Sequence, residues 1–174
     1  IIKSFDGAQF GDINFANDDI FALIPLASAG YTESDEMIAK DISFIISKQK
    51  ENGSWEDSID MTSATVQALA PFKSMADIPN SLLQAEKYLK NSQENNGGFG
   101  SVFSTSWAAQ AMSALGASWV KGGNSIDNYF GIQQTNANDG AVIPTSEPLQ
   151  SRIWATSYAI PAVLKKPWSK IMRP

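Results

Sequence analysis

Gln49-Lys50-Glu51-Asn52-Gly53-Ser54-Trp55 decides the fold, because the chain writes the same phrase again. The second copy is Gln93-Glu94-Asn95-Asn96-Gly97-Gly98-Phe99, and a looser third is Gln134-Thr135-Asn136-Ala137-Asn138-Asp139-Gly140-Ala141-Val142. The glutamines stand 44 and then 41 positions apart, a spacing that belongs to repeat architectures. Each copy comes after an amphipathic stretch and precedes a mostly apolar one that opens with Asp, Ser or Thr. The unit is therefore a pair of helices joined through a glycine turn.

Working outward from those turns, the apolar segments are Asp19 to Gly30, Asp60 to Leu69 with Pro71 as stop, Thr105 to Leu115 stopped by Gly116, and Ser151 to Leu164. From start to stop the first three each cover 11 positions. The first is apolar around most of its circumference, the mark of a buried helix. Asn17, Asp18 and Asp19 supply capping chemistry, Gly30 ends the helix in a left-handed conformation, and Pro25 kinks it. The amphipathic segments are Ser34 to Gln49, Asn80 to Gln93 and Ser125 to Gln133. The first carries Ile38, Ile42, Ile45 and Ile46 on one face. Gly131 weakens the last by about 1 kcal/mol relative to alanine. Four inner and three outer helices alternate along the chain. In the turns, glycines supply positive φ, Trp55 and Phe99 plug the core, and the glutamines bond orphan backbone groups at helix ends.

The 174 residues suffice for one domain, 1-174, with a real core. Net charge is −5, so no basic field exists to displace counterions from nucleic acid. The basic tail of Lys165, Lys166, Lys170 and Arg173 reads as a solubility feature. Cysteine and histidine are absent, which excludes a disulfide framework, Cys/His zinc sites and a Ser-His-Asp triad. No metal and no cofactor is expected. No apolar run reaches the ~20 residues needed for a membrane span. The start at Ile1 reads as a removed leader or as a segment of a longer polypeptide.

The Gln-x₃-Gly-x-Trp/Phe phrase between an amphipathic and an apolar helix resembles the repeat of squalene–hopene cyclases and protein prenyltransferase β subunits. These belong to the α/α-toroid superfamily, which also holds the corrinoid carriers intrinsic factor and transcobalamin and the thioester domain of complement-type proteins. The resemblance covers Asp19 to Trp168. It implies an all-α, α/α-toroid-type arc with inner apolar and outer amphipathic helices. About three and a half helix pairs are an incomplete ring, whose open edges expose apolar area. The chain then reads as part of a longer protein, as a reduced toroid, or as a subunit that self-associates through those edges.

Activity is less readily inferred. The cyclases protonate an alkene from the central acid of Asp-x-Asp-Asp, which needs a raised pKa in an apolar cavity. This chain offers Asp57-Ser58-Ile59-Asp60 and Asp18-Asp19 instead. The prenyltransferase zinc ligands and the thioester cysteine are missing. A calcium loop at Asp139-Gly140 fails, because Thr135, Ala137 and Ser146 stand where ligands belong. In corrinoid carriers, acidic and threonine residues at inner-helix starts contact the ligand, and Asp60 and Thr62 match that pattern; plain capping is the competing role for Asp60. The expected function is a non-catalytic domain that binds a small apolar or corrinoid-like ligand or a neighbouring protein segment. Its contacts would be Asp60, Thr62, Trp107, Arg152, Trp154 and Tyr158, with apolar enclosure and a few orienting polar groups. The segment Asp139 to Gln150 is a candidate lid. An isoprenoid cyclase using Asp60 or Asp57 as acid, and a structural interaction module, are the alternatives. From the resemblance alone, the place is extracytoplasmic or at the cell surface.

Overall fold

The computed structural model describes residues 1–171; Arg173 of the basic tail lies outside the described residues. The chain is mostly helical. Four predominantly apolar helices, α1 (Asn17–Ser28), α3 (Ile59–Leu69), α5 (Val102–Leu115) and α7 (Leu149–Val163), alternate with three amphipathic ones, α2 (Glu36–Ser47), α4 (Ile78–Ser92) and α6 (Ile126–Ala137). A short α8 (Trp168–Ile171) comes last, and 3₁₀ turns occupy Ile2–Ser4 and Ala70–Phe72. The alternation expected from the repeat is thus present.

Contacts divide the chain into two compact units. The first is Ile1–Tyr88, completed by the segment that begins at Trp168; the second is Leu89–Pro167. In the first, α1 packs against α2, α3 and α8, and α3 against α8. Gln67 of α3 accepts the Trp168 backbone N–H at 2.9 Å, which ties α8 to that core. Every residue from Thr62 to Leu69 is buried, so α3 is an interior helix on all sides. In the second unit α5 packs against α6 and α7, and α6 against α7.

Helix ends obey the local chemistry, with corrections to the sequence reading. The N-cap of α3 is Ser58, whose hydroxyl accepts the Met61 N–H; Asp60 lies two positions further in and does not cap. The α1 cap is Ala16, without a side-chain bond, because the Asp19 carboxylate turns inward and accepts the Phe10 N–H at 2.6 Å. Gly30, at φ +93°, closes α1 as expected: the Tyr31 N–H reaches Leu26 O and the Gly30 N–H reaches Ala27 O. Helix α6 runs to Ala137 despite Gly131. It opens with a Ser125/Asn128 capping box and closes at Asn138, which is left-handed.

A two-stranded hairpin, β1 (Val120–Lys121) and β2 (Asn124–Ser125), was not anticipated. Gly122 and Gly123 both take positive φ, the requirement of the tight turn that suits a hairpin. Asn124 and Lys121 donate to the carbonyls of Asn95 and Asn91, which fastens the hairpin beside the second glutamine turn.

Candidate functional site

The glutamine turns set the geometry of the site. In each copy the glutamine Nε2 donates to the carbonyl of its own motif glycine: Gln49 to Gly53 at 2.9 Å, Gln93 to Gly97 at 3.0 Å and Gln134 to Gly140 at 3.3 Å. The three glycines share one conformation, with φ of +88°, +87° and +89°. The residue before each glycine, Asn52, Asn96 or Asp139, accepts the N–H of the residue after it. In the first two copies the aromatic plug is fixed by a hydroxyl of the next helix. The Trp55 N–H donates to Thr62 Oγ1 at 3.0 Å, and the Phe99 N–H to Thr105 Oγ1 at 2.9 Å.

A fourth turn at the N-terminus obeys the same rules and was missed in the sequence. Asp6 accepts the Ala8 N–H across Gly7, which sits at φ +106°, and the buried Phe10 donates to Asp19 at the start of α1. It escaped notice because it lacks the leading glutamine and carries one extra residue between glycine and aromatic. The signal was the pair Asp6-Gly7 ahead of Phe10.

Downstream backbone covers the first two turns. A Cβ on Gly53 would meet Gln84 O at 2.3 Å, and one on Gly97 would meet Ser125 O at 2.2 Å. The glutamines reach downstream as well: Gln49 donates to Ser81 O at 2.9 Å and accepts the Ser81 hydroxyl, and Gln93 approaches Trp119 O at 3.5 Å. Around Gly140 there is open space within 4 Å, and Gln134 is exposed.

Beside that uncovered turn, α6 and α7 border two adjoining grooves of about 630 and 440 Å³. Gly140, Thr156 and Ile160 line both, so they form one continuous surface. Leu149, Ile153, Trp154, Ile160, Val163 and Leu164 are exposed along and just beyond α7, between 48% and 68% each. Thr156 Oγ1 has no hydrogen-bond partner, although the atom itself is covered. The rim carries two ion pairs, Arg152–Asp139 and Lys165–Asp127. Arg152 holds the Asp139 carboxyl below its usual range, and its Nε approaches Ile143 O at 3.5 Å.

The six residues expected at a ligand site separate into two groups. Trp107, Trp154 and Tyr158 come together with Phe103 in an edge-to-face cluster with ring centroids 5.2–6.2 Å apart. Arg152, on the same helix as Trp154 and Tyr158, anchors the segment that the sequence offered as a lid. Asp60 and Thr62 belong to the other compact unit. Thr62 is fully buried and engaged by the Trp55 N–H, while Asp60 leaves Oδ1 without a partner. Asp57 is exposed, and its carboxyl is held low by Lys50 and Asn52.

The carboxyl that is pushed far up is Asp41, unnoticed in the sequence. It lies on the buried stripe of α2 with Ile38, Ile42 and Ile45, at a position that spacing would reserve for an apolar residue. Burial first, then the neighbouring Asp19 carboxyl, raises it to about 9. Asp19 is also raised by burial, partly offset by hydrogen bonds from Asp41 and from the Phe10 N–H. Asp19 fastens the N-terminal turn to α1 through the Phe10 N–H, and Asp41 of α2 lies buried beside it. Comparison with protein-family models, with curated proteins and with solved structures returns no match for this chain.

Proposed function

We propose that this chain is a non-catalytic binding domain built on α/α-toroid-type repeats, and that its working surface is the apolar face of α6 and α7. The observation that carries the reading is the concentration of six large exposed apolar side chains on α7 and its end, five of which, all but Trp154, line a continuous groove. Exposed apolar patches of this kind mark interaction sites. The exposed Trp154 extends the patch into the aromatic cluster of Phe103, Trp107 and Tyr158. The repeat part of the reading is supported by the shared bonds and φ values of the glutamine turns.

The cyclase alternative is disfavoured at the two acids it would use. Lys50 lowers the Asp57 carboxyl, the reverse of what an alkene-protonating acid requires. Asp60 sits in the first turn of α3 within Asp57-Ser58-Ile59-Asp60, which is not the Asp-x-Asp-Asp motif that holds a cyclase acid. A fluorescent apolar dye, 1-anilinonaphthalene-8-sulfonate, tests the proposal. The wild type should bind it saturably, and Ile160→Asp combined with Leu164→Asp should remove most of the signal without lowering the melting temperature. Dye binding that is absent, or unchanged in the double variant, would overturn the assignment of this surface.

A further inference from the structure

We infer that the α6/α7 groove takes one amphipathic α-helix from another polypeptide, docked as the first two turns dock the next helix or its cap. This deepens the binding-domain reading and rests on it. The molecule's own repeats describe the occupant. At the first turn, α4 lays its Gln84 carbonyl into the gap left by Gly53 and offers its Ser81 carbonyl to the Gln49 amide. At the second, the cap of α6 lays the Ser125 carbonyl against Gly97, while Tyr129 covers Gly98. The third turn repeats the receiving geometry: Gly140 at the same φ, Gln134 bonded to its carbonyl, and Asp139 closing the turn. It has everything but the donor of the carbonyl.

The groove beside it suits a helix. Its floor carries Phe130, Ile160, Val163 and Leu164, and helices settle in apolar grooves through residues spaced three and four apart. The exposed Gln134 amide is a donor for a carbonyl that an arriving helix would bring. A second copy of this chain is poorly suited to fill the place. Its amphipathic helices already bury most of their apolar residues: Ile38, Ile42 and Ile45 in α2, Leu82, Ala85 and Leu89 in α4, and Ile126, Tyr129 and Phe130 in α6. Among their large apolar residues only single ones stay exposed, Leu83 on α4 and Ile132 on α6. Nor does α8 supply the helix, since it packs on α1 and α3.

A synthetic peptide of residues Ile78–Ser92, the chain's own α4, is the probe, added to the intact protein. Circular dichroism should show the peptide gaining helix in a saturable one-to-one complex, and a scrambled peptide of equal composition should not bind. Ile160→Asp, at an exposed position that leaves the fold intact, should weaken binding by about tenfold or more. Leu164→Asp, at another exposed position of the groove lining, should do the same. Equal binding by the scrambled peptide would overturn the inference. So would a dimer that forms in preference to the complex and is dissolved by Ile160→Asp, because the occupant would then be a second copy. If the apolar dye binds the groove but the peptide does not bind at millimolar concentration, the helix inference falls and the binding surface stands. If neither binds, both fall.

Discussion

The first two glutamine turns and the third share their glycine conformation and glutamine bond, yet only in the first two is the glycine itself buried. Gly53 and Gly97 lie against carbonyls of downstream elements, and Trp55 and Phe99 are almost wholly enclosed. At the third turn the glycine conformation and the side-chain bonds persist with no cover around Gly140. The turn conformation therefore belongs to the local sequence, whereas its burial belongs to the neighbouring element. A motif glycine meets two separate demands: a left-handed φ, met at all three positions, and close backbone approach, met at two.

The sharpest break between these turns concerns their plugs. Trp55→Ala removes a ring that is 1% exposed and leaves the Ile45 carbonyl without the indole N–H that it accepts at 2.8 Å. The expected loss is about 3–5 kcal/mol. Val142→Ala, at the corresponding place in the third turn, removes only two methyl groups next to an open groove and should cost about 1 kcal/mol. Chemical denaturation of both variants checks the ratio, and equal losses would mean that the third turn is as well packed as the first.

Most of the helical alternation was legible because it rests on local chemistry. Apolar periodicity, the glycine stops and the repeated glutamine phrase located the seven longer helices to within a few residues at most of their ends. What stayed hidden depends on contacts distant in sequence. Asp60 looked like a cap, but Ser58 two positions earlier takes that role, since its hydroxyl reaches the Met61 amide. Thr62 looked free to meet a ligand, and nothing local shows that the Trp55 amide returns to it. Asp41 was invisible because an acid on an apolar stripe is tolerated only with its neighbour Asp19. The hairpin at Gly122-Gly123 was legible from its turn residues and was passed over. Of the candidate site, the sequence grouped Trp107, Trp154 and Tyr158 at inner-helix starts, but the groove was not legible, because it depends on what fails to cover α7.

The N-terminal turn differs from the next two in the oxygen that receives its plug. Phe10 donates to a carboxylate, Asp19, where Trp55 and Phe99 donate to threonine hydroxyls. That turn should therefore respond to pH in the opposite sense to Asp57 and Asp139, the carboxyls held low at the first and third turns. Asp41 is raised to about 9 in the folded protein from an ordinary value of 3.8, so the folded state binds more protons than the unfolded one between those values. Stability should then fall as pH rises through that window, the reverse of a salt-bridged acid. The nearby Asp18 charge, which also raises Asp19, works in the same direction. Asp41→Asn keeps the shape and removes the titration. It should stabilise the protein by about 1–3 kcal/mol at pH 8 and change little at pH 4. Denaturation curves at the two pH values decide the matter, and a wild type that gains stability from pH 5 to 8 would show that Asp41 is not held protonated in the fold.

The smallest effect is expected at the third glutamine, Gln134, where the comparison becomes most exacting. Gln93 is 2% exposed, and its amide serves the Gly97 and Trp119 carbonyls. Gln93→Ala leaves buried carbonyls unpaired, for about 1–3 kcal/mol. Gln134 is exposed and makes a single long bond to Gly140, whose carbonyl water can reach in its place. Gln134→Ala should cost under about 0.5 kcal/mol in the free protein. If a helix docks against the third turn, that indifference should vanish on binding, because the glutamine would then lie in the same setting as Gln49. The variant should keep the melting temperature of the wild type while holding the α4 peptide several-fold less tightly. A loss of stability in the free protein equal to that of Gln93→Ala would show that the third turn is already covered.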